Sequence, residues 1–267
     1  VITAVFTLAA VLGIEKGIKF IANNTVRLAL LIMLFLFVFG PSREIINLLT
    51  NTMGDYFQNL IYMSLWTDPI LEGGWIKGWT IFYWAWWIAW GPFVGQFIAR
   101  ISKGRTIREF IIGALVAPTI FSFIWLAIFG GTALNLEIVA GAGIAEAVAE
   151  NISSALFVTL GNFPISAITS FLSIILIAAF FITSADSGTF VVAMLTSGGD
   201  QEPTRMLKAS WGILMGGVAA VLLVAGGLEA LQTASIAAAF PFMIVMLVMC
   251  YSLVKSFAKD RIKQGDE

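Results

Sequence analysis

Runs of apolar residues long enough to cross a lipid bilayer recur along this chain, and nothing else narrows its fold as much. A helix needs roughly 20 mostly apolar residues to traverse about 30 Å of hydrocarbon. Five segments meet that need, at about residues 79–99, 110–129, 164–195, 209–227 and 234–254. A sixth, Leu28–Gly40, is shorter and is expected to begin a turn earlier. A seventh, Val1–Gly13, is too short to cross. It has no basic residues before its apolar core, so it reads as part of a span in a longer protein rather than as a secretion signal. Backbone polar groups in lipid must find partners within the protein, so spans of this composition are helices. The chain is 59% hydrophobic and 12% charged, against about 25% charged for a soluble domain. The fold class is therefore an all-α polytopic membrane protein.

The same composition excludes several chemistries. There is no histidine, which removes imidazole metal sites, Ser-His and Cys-His nucleophile pairs and a histidine proton relay. The single cysteine, Cys250, excludes an intrachain disulfide and a cysteine-based zinc site. A net charge of -1 argues against nucleic acid as a partner. No catalytic residues are expected, and no cofactor.

Basic residues set the orientation. Residues 14–27 carry Lys16, Lys19 and Arg27; residues 100–108 carry Arg100, Lys103, Arg105 and Arg108. Residues 197–208 carry Arg205 and Lys208, and the tail carries Lys255, Lys259, Arg261 and Lys263. The intervening connections hold only Arg43 and Lys77, so 13 of the 15 Lys and Arg fall on alternate loops. By the positive-inside rule those loops and the C-terminus are cytoplasmic, with the protein in a plasma (bacterial inner) membrane. Two outer segments are patterned differently. Residues 42–66 place Ile45, Leu48, Leu49, Met53, Phe57, Leu60 and Ile61 at helical spacing, which predicts an amphipathic surface helix broken near Gly54. Residues 142–160 show similar spacing.

Six of the nine tryptophans lie between Trp75 and Trp90. Trp75 and Trp79 sit at the outer end of their span, where tryptophan anchors helices in the headgroup region. Trp86, Trp87 and Trp90 lie about 10–17 Å further in, at hydrocarbon depth. Trp86, Trp90, Phe93 and Phe97 follow i, i+4, i+7 and i+11 and share one face. Gly91-Pro92 adds an expected bend. Two readings stand: aromatic packing between helices, or a box for a quaternary ammonium. That cation cannot donate hydrogen bonds and is held by ring quadrupoles, at up to about 2 kcal/mol per ring when desolvated.

Four blocks then carry a resemblance. The run Gly78–Trp90 (GWTIFYWAWWIAW), the following Phe97–Phe110 (FIARISKGRTIREF), Ile128–Ala133 (IFGGTA) and Phe180–Ser187 (FFITSADS) resemble, in order and spacing, the betaine/choline/carnitine transporter (BCCT) family. The resemblance implies twelve spans in the full protein. Ten of them form two inverted repeats of five, as in LeuT-type transporters. This chain would hold the sixth to twelfth spans: residues 1-40 the end of the first repeat, 41-78 an extracytoplasmic amphipathic linker, 79-195 the first three spans of the second repeat, and 196-267 the last two spans and a short tail.

The resemblance also implies roles. Trp87 belongs to the central aromatic box, and Trp86, Trp90, Phe93 and Phe97 line the substrate path. Thr183 and Ser184, with the carbonyl of Phe180, match a Na+ site in sodium-coupled members. Na+ is a hard cation that takes hydroxyl and carbonyl oxygens. The plainer role for Thr and Ser in a membrane helix is bonding to their own or a neighbouring helix. Asp186, the one acidic residue inside a span, lies 22 residues after Pro164, about 33 Å along a helix. That is near the cytoplasmic end, where Arg100 is a suitable partner, so an ion pair or gate is favoured over a proton carrier. The implied activity is import of a quaternary-ammonium compatible solute such as glycine betaine, by Na+ symport with alternating access. A proton-coupled choline importer and a carnitine or betaine carrier are the alternatives. The lipid bilayer and a homotrimer complete the implied partners.

Overall fold

The structure, a computed structural model, describes residues 2–12, 15–68, 70 and 74–265, with side chains other than those of 12, 15–19, 100 and 259–265. Every regular element among the described residues is helical. In chain order these are α1 (Ile2–Leu12), α2 (Glu15–Phe39), α3 (Ser42–Leu65), a π-helical segment (Ile76–Ile81) running into α4 (Phe82–Ile101), and α5 (Ile107–Ile111). A second π segment (Ile112–Val116) joins α5 to α6 (Ala117–Ala140). Then follow α7 (Ile144–Glu150), a 3-10 turn (Ile152–Ser154), α8 (Ala155–Gly161), α9 (Ser166–Thr196) and α10 (Arg205–Gly265).

Four helical stretches are long and apolar enough to cross a membrane: Phe20–Phe39, Ile107–Ala140, Ser166–Thr196 and Arg205–Ala258. The last holds 54 residues, about 80 Å if straight, more than twice a hydrocarbon thickness. It is broken at Gly226 and Gly227, where Gly227 takes φ 61 and ψ -141. It therefore supplies both of the spans expected at 209–227 and 234–254. The tryptophan helix α4 is not among the four. Its length suffices, but indole and phenol groups rank low on hydropathy although their rings are large apolar surfaces.

The chain divides into two compact units, Val1–Trp66 with Gly104–Asp186, and Thr67–Lys103 with Ser187–Glu267. In the first, Leu36 of α2, Ile45 of α3, Ala127 and Ile128 of α6 and Leu160 of α8 form one buried cluster. Ala29, Ile32 and Leu176 form a second, between α2 and α9. The α2–α3 corner is fixed at Gly40-Pro41: the Gly40 amide donates to the Leu36 carbonyl at 2.9 Å, and the Ser42 hydroxyl donates to the Phe37 carbonyl. Gly131 lets α3 approach α6, because a Cβ there would meet Leu48 Cδ2 at 3.0 Å. Buried hydroxyls turn back onto their own helices, Thr25 to Ile21, Thr159 to Ala155 and Ser173 to Thr169, each at 2.8 Å.

Several sequence expectations are corrected. No break occurs at Gly54: α3 runs continuously from Ser42 to Leu65. A helical glycine costs about 1 kcal/mol, and packing on both sides of it outweighs that. Ile45 and Leu49 join the core before it, and Tyr56 meets the edge of Phe123 at 5.5 Å after it. Residues 14–27 are not a loop, since α2 is helical from Glu15. The span expected at 110–129 continues to Ala140. It stops where Gly141 adopts φ 62 and donates to the Glu137 carbonyl. Segment 142–160 is not one amphipathic helix but α7, a 3-10 turn and α8, interrupted where Asn151 is extended and its side chain accepts from the Ser153 amide. The Glu137 carboxylate also accepts the Ile144 amide at 2.7 Å, tying α7 to the end of α6. Helix α4 continues on both sides of Pro92, so the bend expected there does not end the helix, and α10 is helical to Gly265.

Two stability outcomes follow from this packing. Gly227→Ala forces a side chain into left-handed backbone and should cost about 1–2 kcal/mol in detergent thermal unfolding. Gly217→Ala, in an ordinary helical site with nothing within 4 Å of the new Cβ, should be neutral or stabilising. Equal melting shifts would refute the turn assignment. The Thr132 hydroxyl is fully buried, with no hydrogen-bond partner among the described residues. Thr132→Val should therefore raise stability by about 1 kcal/mol; a loss of that size would reveal a partner for the hydroxyl.

Candidate functional site

Helix α4 keeps α-helical register from Phe82 to Ile101. The i, i+4, i+7, i+11 spacing of Trp86, Trp90, Phe93 and Phe97 therefore forms one stripe in three dimensions. The side chains are not equivalent. Trp86, Trp90 and Phe97 are 42–46% exposed and Trp87 is 65% exposed, while Phe93 is half-buried. Phe82 stacks on Trp86 at 5.8 Å and 14°, and Tyr83 meets Trp86 edge-on at 5.8 Å. Trp90 and Phe93 lie 6.2 Å apart. Trp87, one residue from Trp86, projects about 100° away from it around the helix. The structure thus pairs Trp86 with Phe82 and Tyr83, pairs Trp90 with Phe93, and sets Trp87 on a neighbouring face.

Helix α4 packs on the second half of α10, and one ring of the stripe takes part in the contact. Ala85 and Ala239 are buried, and the Phe93 ring lies 6.2 Å from Phe242 at 59°. A pocket of about 310 Å³ follows along the same contact, lined by Gly91, Pro92, Met246, Met249, Cys250 and Leu253. Phe242, Phe82 and Tyr83 were not singled out by sequence. Phe82 and Tyr83 were findable from their place within a turn of Trp86. Phe242 was not, because only folding brings α10 to α4.

Helix α9 carries the second set. The Thr183 hydroxyl donates to the carbonyls of Ala179 and Phe180, each at 3.0 Å. A hydroxyl that donates still offers its lone pairs as hard acceptor oxygens. Thr183 Oγ1 and the Phe180 carbonyl are therefore held within one turn, close enough to be adjacent ligands of one small cation. Ser184 follows on the exposed side, and the Phe180 ring is 43% exposed. That ring, with Val26, Ala29, Phe121, Trp125 and Leu126, lines an open apolar pocket of about 640 Å³ within the first unit. Asp186 is half-buried, ten residues before the end of α9 at Thr196. Arg100, expected to pair with it, has its side chain outside the described residues. Trp86, Trp87, Trp90, Phe93 and Phe97 belong to the second compact unit, and Phe180, Thr183, Ser184 and Asp186 to the first. No group of three or more Cys, Asp or Glu side chains suited to a metal occurs among the described residues.

Comparison with known proteins places these features in a family. The model of the betaine/carnitine/choline family transporter (BCCT) matches residues 1–262. A probable glycine betaine transporter of Desulfitobacterium hafniense (strain Y51) is 52% identical over 263 residues, covering 97% of this chain and 52% of the relative. The glycine betaine transporter OpuD of Bacillus subtilis (strain 168) is 50% identical over 271 residues, covering 100% and 52%. An ectoine/hydroxyectoine transporter of Virgibacillus pantothenticus is 45% identical over 251 residues, covering 94% and 50%. The chain spans about half the length of the curated relatives it matches. Helices long enough to cross a membrane, an aromatic stripe in continuous register and a family match over residues 1–262 converge: this multi-pass helical membrane chain belongs to the BCCT family, whose members are transporters and not enzymes.

Proposed function

We propose that this chain is the part of a secondary transporter that recognises a quaternary-ammonium compatible solute, with glycine betaine as the substrate. The observation that carries the reading is the unbroken α4, which presents indole and phenyl rings as one stripe with Trp87 beside it. Such a surface suits a trimethylammonium group, which offers no N–H and gains from ring quadrupoles in a desolvated site. Two relatives at 50% and 52% identity bear the name glycine betaine transporter, which supports the same substrate. Coupling is to Na+, taken by the Thr183 hydroxyl, the Phe180 carbonyl and Ser184. Asp186 with Arg100 forms a gating ion pair. In this reading residues 1-40 close the first inverted repeat, 41-78 link the repeats, 79-195 open the second, and 196-267 end on the cytoplasmic side of a trimer. Transport proceeds by one helix set rocking against the other.

A second reading has a specific support, the 45% identical ectoine/hydroxyectoine transporter. Ectoine carries a delocalised amidinium with N–H donors, so it needs acceptors as well as rings. Glycine betaine needs only rings at its cationic end.

Radiolabelled glycine betaine uptake by the full-length transporter, in cells lacking their own carriers, tests the proposal. Uptake is expected in Na+ and not when K+ replaces it. Uptake that ignores Na+ but collapses with a protonophore would replace Na+ coupling by proton coupling. Uptake of ectoine in preference to glycine betaine would favour the second reading. Trp87→Ala should cut apparent affinity by about 30-fold, the equivalent of about 2 kcal/mol of ring attraction, while Trp87→Phe spares part of it. Wild-type uptake in both variants would sink the box.

Thr183→Val together with Ser184→Ala separates structure from coupling. The Thr183 hydroxyl donates to carbonyls of its own helix, so melting should move by less than about 1 kcal/mol. The Na+ concentration for half-maximal uptake should rise by about tenfold, or about 1.4 kcal/mol of lost ion affinity. An unchanged Na+ dependence removes the ion site from α9.

A further inference from the structure

The ring in contact with both the tryptophan stripe and another helix is Phe93. It lies 6.2 Å from Trp90 at 34° on one side and 6.2 Å from Phe242 at 59° on the other. Trp90 and Phe93 share α4, but Phe242 comes from the second half of α10. Aromatic rings at this separation attract one another and prefer offset or edge-on arrangements over a face-to-face sandwich.

The contact is enforced by the backbone. Helices approach closely where their facing residues are small. Ala85 of α4 and Ala239 of α10 are 8% and 5% exposed. At Gly91 a Cβ would stand 3.3 Å from Met246 Sδ and 3.5 Å from Met246 Cε. Phe242 and Met246 are four residues apart and so project from one face of α10. One presses on Phe93 and the other fills the space left by Gly91. Phe93 thus packs against a ring whose place is set by the α4–α10 contact.

We propose that Phe242 is a positioning residue that holds the Phe93 ring, and through it Trp90, at the angle by which the aromatic stripe recognises a trimethylammonium group. The inference rests on the aromatic-stripe reading above and extends it to a helix that carries none of the stripe. Phe242 touches the recognising ring, not the solute. Removing it frees Phe93 to rotate, which weakens recognition without touching the ion ligands or the transport cycle. The effect belongs in KM rather than Vmax, and it is larger for a trimethylated solute, whose three methyls need the rings in place, than for its dimethylated analogue.

The test is uptake kinetics of glycine betaine and dimethylglycine by the full-length transporter, with surface amount measured in parallel. Phe242→Ala is expected to raise KM for glycine betaine by about three- to tenfold, the worth of one aromatic pair, at unchanged Vmax per surface molecule. The ratio of the two KM values should narrow, and Phe242→Tyr, which keeps the ring, should restore both. Phe242→Leu keeps apolar volume and a good helix former, so it reports even if the alanine variant fails to reach the membrane; it should raise KM by about threefold. A wild-type KM in the leucine variant overturns the inference. So does a loss confined to Vmax, or a tyrosine variant no better than alanine. Trp87→Ala run alongside separates the two levels. If Trp87→Ala abolishes affinity while the Phe242 variants do not, only the positioning role falls. If neither site affects KM, the aromatic-stripe reading falls with it.

Discussion

A backbone amide in hydrocarbon has no partner except another backbone group or a nearby side chain, and leaving it unpaired costs several kcal/mol. The rest of this structure follows from that constraint. Helix α4 persists through Pro92, a residue that would disrupt a helix in water. Where helices do end, the freed groups are captured at once. The α2–α3 corner is closed by Gly40 and Ser42 and the end of α6 by the Gly141 amide, while the Glu137 carboxylate takes up the Ile144 amide at the start of α7. The same constraint governs buried hydroxyls, which bond to their own helix at Thr25, Thr159 and Ser173. Thr183 does so too, donating to the carbonyls of Ala179 and Phe180.

Once the helices are internally satisfied, their association depends on fit. In lipid there is little hydrophobic drive between apolar helices, so close contact is what stabilises them. The glycines mark where this happens. Gly131 admits Leu48 of α3 against α6, and Gly91 admits Met246 of α10 against α4. The first seats the 42–65 helix on its neighbour. The second brings Phe242 to Phe93 and so couples α10 to the aromatic stripe. A ring of the aromatic stripe is thus also a helix contact.

The aromatic helix also shows why hydropathy alone misjudges such a segment. Tryptophan and tyrosine carry a polar atom on a large apolar ring, so α4 falls outside the set of strongly apolar helices although it holds four of the nine tryptophans. Spacing recovered what hydropathy missed. The i, i+4, i+7, i+11 pattern needs only a continuous helix to become a face, and α4 is continuous.

By itself the sequence determined the helical membrane class, the approximate spans, and the aromatic stripe with Trp87 beside it. These are consequences of residue type and helical period, and both act over a few residues. Tertiary structure alone decided that α3 stays whole at Gly54, because its two halves are held by Ile45 and by Phe123 from another helix. It decided that 142–160 folds as separate short helices, one tied back by Glu137. It also decided that Phe242 meets Phe93, a contact between residues far apart in the chain. No periodicity encodes that contact, since it depends on where small residues let two helices touch.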